Sequence, residues 1–208
     1  MRPTAIVVCS VVLALGAAKA DAPIELDKDR FDRSAGRHGV VLLEINWGRQ
    51  WGCAGLDNAQ LQALTFSKSP GEPTLALKTP SRLFVDDRYK TYALLIEPGE
   101  YFLTGLDVKV AKSVSDVGHL VAEGQNYGSF DVAAGEFVYI GHFGLDCTED
   151  PIPWRYYIEG KEDFERYIAG FRERFPFVGD VPVEFRLFET DMFGASYSLA
   201  TQDFPAPP

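Results

Sequence analysis

Short segments in which apolar and polar residues alternate recur along most of the chain, and glycine or proline interrupts them at close intervals. In the first clear segment, 39–47, residues Val41, Leu43, Ile45 and Trp47 share one face. Alternation with a period of two is typical of a strand that buries one face. A chain built from many such short segments is expected to fold into a β-sandwich or a barrel.

Two further pairs of segments are predicted to form hairpins. The segments 92–97 and 101–106 flank a Glu-Pro-Gly-Glu sequence, which suits a type II turn with Pro and Gly at its central positions. The segments 129–132 and 135–143 flank an Ala-Ala-Gly turn. The segment 135–143 is apolar on both faces, which predicts a central strand of a covered sheet.

One helix is predicted, over 161–175. Its large apolar residues recur at helical spacing along a single stripe: Phe164, Tyr167, Ile168, Phe171 and Phe175. Arg172 and Arg174 in the last turn match the sign of the helix dipole, and Pro176 ends the helix. We interpret the aromatic stripe as packing against a sheet.

These patterns predict a mainly β protein, a single antiparallel β-sandwich of about eight or nine strands with one amphipathic helix near the C-terminus. The sandwich domain is predicted to span 39–200. A polar arm at 21–38 precedes it and a Pro-rich tail at 201–208 follows it. The segment 58–66 fits either a short helix or a strand, and 112–128 shows no clear period.

The first twenty residues have the pattern of a secretory signal. Arg2 precedes an apolar run over 5–17, and Ala18-Lys19-Ala20 matches a cleavage site, so the mature chain is expected to begin at Asp21. An apolar run of this length falls short of the roughly twenty residues that span a bilayer. The sequence therefore predicts a periplasmic or secreted protein without stable membrane insertion after cleavage.

The charge balance excludes two classes of partner. The chain has 20 basic and 30 acidic residues, a net charge of -10. Cleavage after residue 20 would remove Arg2 and Lys19 and no acid, leaving 18 basic and 30 acidic residues and a net charge of -12. A protein with this excess of negative charge is a poor ligand for nucleic acid or anionic lipid.

Two cysteines, Cys53 and Cys147, remain after signal cleavage. An even pair in an oxidising compartment is expected to form a disulfide. The alternative is a hydrolase in which Cys147 is a thiol nucleophile and His142, five positions earlier, is its base.

Other catalytic and metal-binding patterns are weak. Paired carboxylates for a glycosidase have only nominal candidates in Glu44, Glu97 and Glu136. An acidic cluster around Cys147, formed by Asp146, Glu149 and Asp150, offers oxygen ligands that Ca²⁺ prefers. The zinc, nucleotide and dinucleotide motifs are absent from the sequence, so we expect no cofactor.

Two motifs carry a resemblance to a protein family. The sequence I-E-P-G-E-Y-F-L at 96–103 and the sequence G-E-F-V-Y-I-G at 135–141 are similar to those of uncharacterised bacterial cell-envelope β-sandwich proteins. Those proteins have a P-G-x-Y turn followed by a G-E-x-x-Y-I-G strand. The resemblance covers about a quarter of the chain, roughly 92–143, and implies an envelope setting with no catalytic residues to carry over. This chain lacks the anchoring cysteine of the lipid-anchored members.

The tryptophans give the predicted binding surface. Trp51 lies in a Gly-rich segment beside Cys53, and Trp154 follows a Pro-Ile-Pro sequence after Cys147, so a disulfide would bring these two regions together. Exposed aromatic side chains on a braced loop are typical of a protein-binding site. We therefore expect a non-enzymatic exported protein that binds an envelope component or a partner protein through Trp51 and Trp154. Packing of the tryptophans in the core is the alternative.

Overall fold

The computed structural model describes residues 24–53, 55–69, 72–81, 88–123, 126–145, 147, 154–157 and 161–186. Two predicted segments lie outside the described residues: the signal at 1–20 and the tail at 201–208.

The described residues form eleven strands and two α-helices. The strands are β1 (Gly39–Asn46), β2 (Gln50–Trp51), β3 (Asn58–Ser69), β4 (Glu72–Lys78), β5 (Tyr89–Ile96), β6 (Gly99–Ala111), β7 (Val117–Glu123), β8 (Ser129–Val132), β9 (Phe137–Leu145), β10 (Trp154–Tyr157) and β11 (Val183–Phe185). The helices are α1 (Lys28–Ser34) and α2 (Lys161–Arg174), and a 3-10 turn follows at Pro176–Val178.

The strands form two sheets. The first has the order β10-β9-β1-β5, with β11 also paired to β9. The second has the order β2-β3-β6-β7, with β4 paired to β3 and β8 to β6. Most neighbours are antiparallel, although β9 runs parallel to both β1 and β11. The predicted mainly β sandwich with a helix near its C-terminus is confirmed.

The main core lies between the two sheets. Val41, Leu43, Ile45 and Trp47, which the alternation placed on one face, are fully buried there. The indole Nε1 of Trp47 donates a hydrogen bond to the hydroxyl of Tyr92 at 2.9 Å. This tryptophan is therefore a core residue with its one polar group satisfied.

A layer of helices covers the other face of the first sheet. Ile168 and Phe171 of α2 pack there against Val40, Leu42 and Tyr139. The predicted helix and its aromatic packing stripe are confirmed, with the last helical residue at Arg174. Because both faces of the first sheet are covered, every residue of β9 is buried, as its apolar sequence predicted. No helix in the described ranges has the length and apolar character needed to cross a membrane.

The two predicted hairpins are wrong. The strands β5 and β6 follow each other along the chain, but β5 pairs with β1 in the first sheet and β6 pairs with β3 in the second. The strands β8 and β9 are divided between the sheets in the same way. Both turns are therefore arches that carry the chain from one sheet across to the other.

Three less regular segments also differ from a simple interpretation of the sequence. The predicted arm at 21–38 contains α1, which forms because Asp27 caps it by accepting a hydrogen bond from the Arg30 N–H at 2.9 Å. Phe31 is the one large apolar residue of α1, and it contacts Phe137 of the sheet, so the sequence of α1 shows no apolar stripe. The ambiguous segment 58–66 lies in strand β3, and the region without a clear period, 112–128, contains strand β7.

Candidate functional site

The predicted disulfide between Cys53 and Cys147 is present and joins the two sheets at one end of the sandwich. Cys53 follows β2 of the second sheet, and Cys147 follows β9 of the first. Their Cα atoms are 4.4 Å apart across a sequence separation of 94 residues. We call this region the disulfide end. It holds β2 and the last residues of β9 against each other.

Among the described side chains of this end, Trp51 is the most exposed large aromatic one. It lies on β2, opposite Asn58 of β3, and its side chain is 70% exposed. The guanidinium of Arg49 lies 5.4 Å from the centre of the indole ring, within cation–π range. The backbone of Trp51 is held by pairing with β3 and by the disulfide two residues later, while its ring faces solvent.

Trp154, the second predicted binding residue, is near Trp51 in backbone position. It begins β10 opposite Leu145, and Leu145 precedes Cys147 by two residues. Trp51 precedes Cys53 by the same number. The structure therefore brings the backbones of both tryptophans to the disulfide end, and the side chain of Trp154 lies outside what is described.

A further exposed aromatic residue at this end was missed by the sequence analysis. Tyr89 begins β5 opposite Asn46, near the point where β1 ends, and it is 51% exposed. The guanidinium of Arg88 lies 5.2 Å from its ring centre. The preceding Arg88 was no signal of this exposure, because Lys90 lies over the ring of Tyr92 in a similar way and Tyr92 is buried.

The proposed nucleophile and base do not form a catalytic pair. The sulfur of Cys147 is in the disulfide, and its side chain packs toward the core between the sheets. His142 contacts the rings of Tyr139 and Tyr167 in the helix layer, on the other face of the first sheet. A disulfide sulfur is not a thiolate, and the nucleophile requires one.

His142 instead belongs to a polar row on that face. Its Nδ1 is 3.6 Å from Oε1 of Glu44, which is its partner in the register of β1 and β9. The other carboxylate oxygen of Glu44 accepts a hydrogen bond from the Thr91 hydroxyl at 3.2 Å. The row thus gives polar side chains of β5, β1 and β9 polar neighbours on a covered face of the sheet.

The other two glycosidase candidates lie at the arches, at the opposite end of the strands from Glu44. Glu97 pairs with Lys68 at 2.8 Å, and this hydrogen bond and charge hold the pKa of Glu97 below its usual range. Glu136 accepts hydrogen bonds from the Ala133 N–H and from Arg186, both at 2.6 Å. Burial opposes ionisation of Glu136, but these contacts together lower its pKa. Each carboxylate is thus engaged in holding its arch.

The predicted calcium ligands Asp146, Glu149 and Asp150 lie outside the described residues. Within the part of the chain that is described, no three His, Cys, Asp or Glu side chains come close enough to hold a metal ion.

Comparison with known proteins gives no relative: no protein-family model, no curated protein and no solved structure matches this chain.

Proposed function

We propose that this chain is an exported, non-enzymatic β-sandwich protein that binds a partner protein of the cell envelope through the disulfide end. The observation that carries the proposal is the position of Trp51, a large aromatic side chain 70% exposed on a strand that the fold holds in place. Tryptophan is among the residues that contribute most to protein-binding interfaces, because burying its large surface on binding releases water.

The geometry favours binding because the backbone of β2 is already held in place before a partner arrives. Strand β2 pairs with β3, and the neighbouring Cys53 is completely buried and bonded to Cys147. A rigid aromatic side chain loses little conformational entropy when a partner covers it, so more of the contact energy appears as affinity. Arg49 beside the ring adds a charge that an acidic group of the partner can pair with at the rim.

The envelope setting rests on three independent features. The disulfide requires an oxidising compartment to form and persist. The signal pattern at 1–20 and the resemblance to envelope β-sandwich proteins predict the same location. The hydrolase alternative is less well supported, because it needs Cys147 as a thiolate.

The test compares one partner across three forms of the protein. Immobilised protein is used to capture companions from an envelope extract, and a purified companion is then titrated against wild type, Trp51→Ala and Ile24→Ala. We expect Trp51→Ala to weaken binding at least about tenfold, as the loss of a central interface aromatic does. Ile24→Ala is the matched control, since Ile24 is an exposed apolar residue whose backbone bonds to Leu95 near the end of β5, at the opposite end of the strands from Trp51.

Equal melting temperatures of the three forms would show that folding is intact. Unchanged affinity of the Trp51→Ala variant for that companion would contradict the proposal. Turnover of an ester or glycoside substrate that is lost in His142→Ala would favour the hydrolase.

A further inference from the structure

Strand β7 is an exposed edge of the second sheet. It pairs with β6 through the register from Gly105 opposite Glu123 to Ala111 opposite Val117, and no described strand pairs with its other side. Val117, Leu120 and Val121 are all exposed, although they alternate between the two faces of the strand. Strand β7 therefore extends beyond the part of the sandwich that the first sheet covers, whereas Leu106 and Val108 of β6 are buried in the core.

This edge lacks the features that usually prevent strand addition. Natural edge strands are protected by lysines, prolines or bulges, because their free N–H and C=O groups can pair with another strand. The segment 117–121 has the sequence V-G-H-L-V, without a proline or a formally charged residue. Its His119 contacts Asp107 of the neighbouring strand at 2.7 Å. That carboxylate is therefore turned toward β6 and β7 rather than toward a strand added at the edge.

We propose that β7 pairs antiparallel with β7 of a second copy of this chain, joining two six-stranded sheets into one continuous sheet. In the register centred on His119, Val117 of one copy lies opposite Val121 of the other, and Gly118 lies opposite Leu120. On one face the two pairs of Val117 with Val121 then flank the two His119 side chains, while on the other face each leucine lies across from a glycine. Directly opposed apolar residues are the unit by which paired strands are stabilised.

The charge of the β6–β7 ribbon favours a second copy as the occupant. Between residues 107 and 121 there are two lysines and two aspartates, so this part of the ribbon is neutral within a chain of net charge -10, and Glu100 and Glu123 lie outside it. Two such ribbons can approach without the repulsion that the rest of the surface would impose. A strongly basic or acidic peptide, in contrast, would find no complementary charge here.

The dimer is expected to be weak, because one strand pair buries less than the area of a standard protein interface, about 1,600 Å² in total. It is tested by sedimentation equilibrium of the purified protein over a wide concentration range. We expect the mass of the wild type to rise toward that of a dimer with concentration. Val121→Lys should remain monomeric, because it places a charge opposite an apolar residue of the other copy.

Val114→Lys is the matched control. Val114 lies in the turn between β6 and β7 and is completely exposed, so the same change in charge there leaves the strand edge intact and dimerisation unchanged. A second variant tests the register. His119→Cys should form an intermolecular disulfide on oxidation, whereas Val117→Cys should not, since residue 117 faces residue 121 of the other copy.

Amide hydrogen exchange of the β7 N–H groups that point away from β6, called the β7 amides here, distinguishes the other occupants. A monomer whose β7 amides are protected would mean that another segment of the same chain covers the edge. A monomer whose β7 amides exchange freely would mean that the edge serves a different partner or none. Either result overturns the proposal.

Discussion

Gly39 and Gly170 occupy opposite environments. A Cβ atom on Gly39, at the start of β1, would collide with the side chain of Val132 and lie 2.8 Å from the carbonyl oxygen of Ala133. A Cβ atom on Gly170, on the exposed side of α2, would have no neighbour within 4 Å. At Gly39 the absence of a side chain lets the β8–β9 arch approach β1. At Gly170 glycine only lowers helix stability.

Alanine at these two positions should therefore have opposite effects. We expect Gly39→Ala to lower the free energy of unfolding by about 1–3 kcal/mol, because it overpacks a site bounded by backbone. We expect Gly170→Ala to raise it by about 0.5–1 kcal/mol, the difference between the helix propensities of the two residues. Urea unfolding of both variants measures this. A loss of stability in Gly170→Ala would show that a neighbour outside the described residues needs the space.

The residues of the candidate site could be predicted only in part. Trp51 and the cysteines follow from sequence, because a Gly-rich segment and an even cysteine pair restrict where those side chains lie. Tyr89 could not be predicted, since exposure at the first position of a strand depends on where the opposite sheet ends. Trp47 and Trp51 have similar local sequences, and only the sheet that covers Trp47 makes one a core residue and the other a surface residue.

At the scale of elements, the two arches are held by ionic contacts of different burial. At the β5–β6 arch, Lys68 pairs with Glu97, whose side chain is 72% exposed. At the β8–β9 arch, Arg186 contacts Asp131, Glu136 and Glu184, and the Glu136 side chain is only 16% exposed. Arg186 follows β11, so this network ties the last described strand to the arch.

Replacing Arg186 and Lys68 one at a time should show how much the ionic contacts at each arch contribute to stability. We expect Arg186→Met to lower the free energy of unfolding by about 1.5–3 kcal/mol, because it leaves a partly buried carboxylate without its charged donor. The matched change Lys68→Met should cost less than about 1 kcal/mol, since exposed ion pairs are screened by water. Urea unfolding is the suitable measurement, because guanidinium chloride is a salt and would itself screen the ion pairs.

The pH dependence of the free energy of unfolding provides a second test of the contact between Arg186 and Glu136. The pKa of Glu136 is lowered in the folded protein, so its contribution to stability is present above the ordinary value of 4.5 and is lost as the pH falls below it. The difference in stability between wild type and Arg186→Met should therefore shrink on acidification below about pH 4.5. A difference that stays constant would mean that Arg186 acts through packing alone.

The arches also show what the sequence pattern encodes and what it does not. Strands lie on either side of the turns at 97–98 and 133–136, as predicted, although β5 begins three residues before the predicted segment and β6 ends five residues after it. An arch and a hairpin bury the same apolar faces, and they differ only in the direction of the backbone hydrogen bonds. Side-chain alternation carries no information on that direction. The pairing is decided instead by distant strands, such as β1 for β5 and β3 for β6.

At the scale of the whole molecule, the sandwich is closed differently at its two ends. At one end the chain crosses twice between the sheets, through the β5–β6 and β8–β9 arches. At the other end the chain crosses from β1 to β2 through residues 47–49, and the bond between Cys53 and Cys147 adds a second covalent link, between the end of β2 and the end of β9. The proposed dimer would extend the second sheet through β7, and Trp51 would then lie near each outer edge of the combined sheet. Two partner sites on one rigid body would raise the avidity for a partner that is itself multivalent.

This difference between the ends predicts a localised effect of removing the disulfide. The double variant Cys53→Ser with Cys147→Ser should lose about 2–4 kcal/mol of unfolding free energy, because the open chain gains conformational entropy when unfolded. Amide hydrogen exchange should accelerate at β2 and at the last residues of β9. It should change little at the arches, which lie at the opposite end of the strands from the bond. Partner binding through Trp51 should weaken as well, since β2 would no longer be held in place before binding.

Reduction of the wild-type protein under native conditions is the control, because it opens the same bond without changing a side chain. It should reproduce the exchange pattern of the double variant if the bond itself is responsible. Faster exchange spread evenly over both sheets would contradict this account. It would mean that the disulfide stabilises the sandwich only by restricting the unfolded chain, and that β2 is held in place by its pairing with β3 alone. Binding by Trp51 would then survive reduction, which separates the role of the bond in stability from its role in recognition.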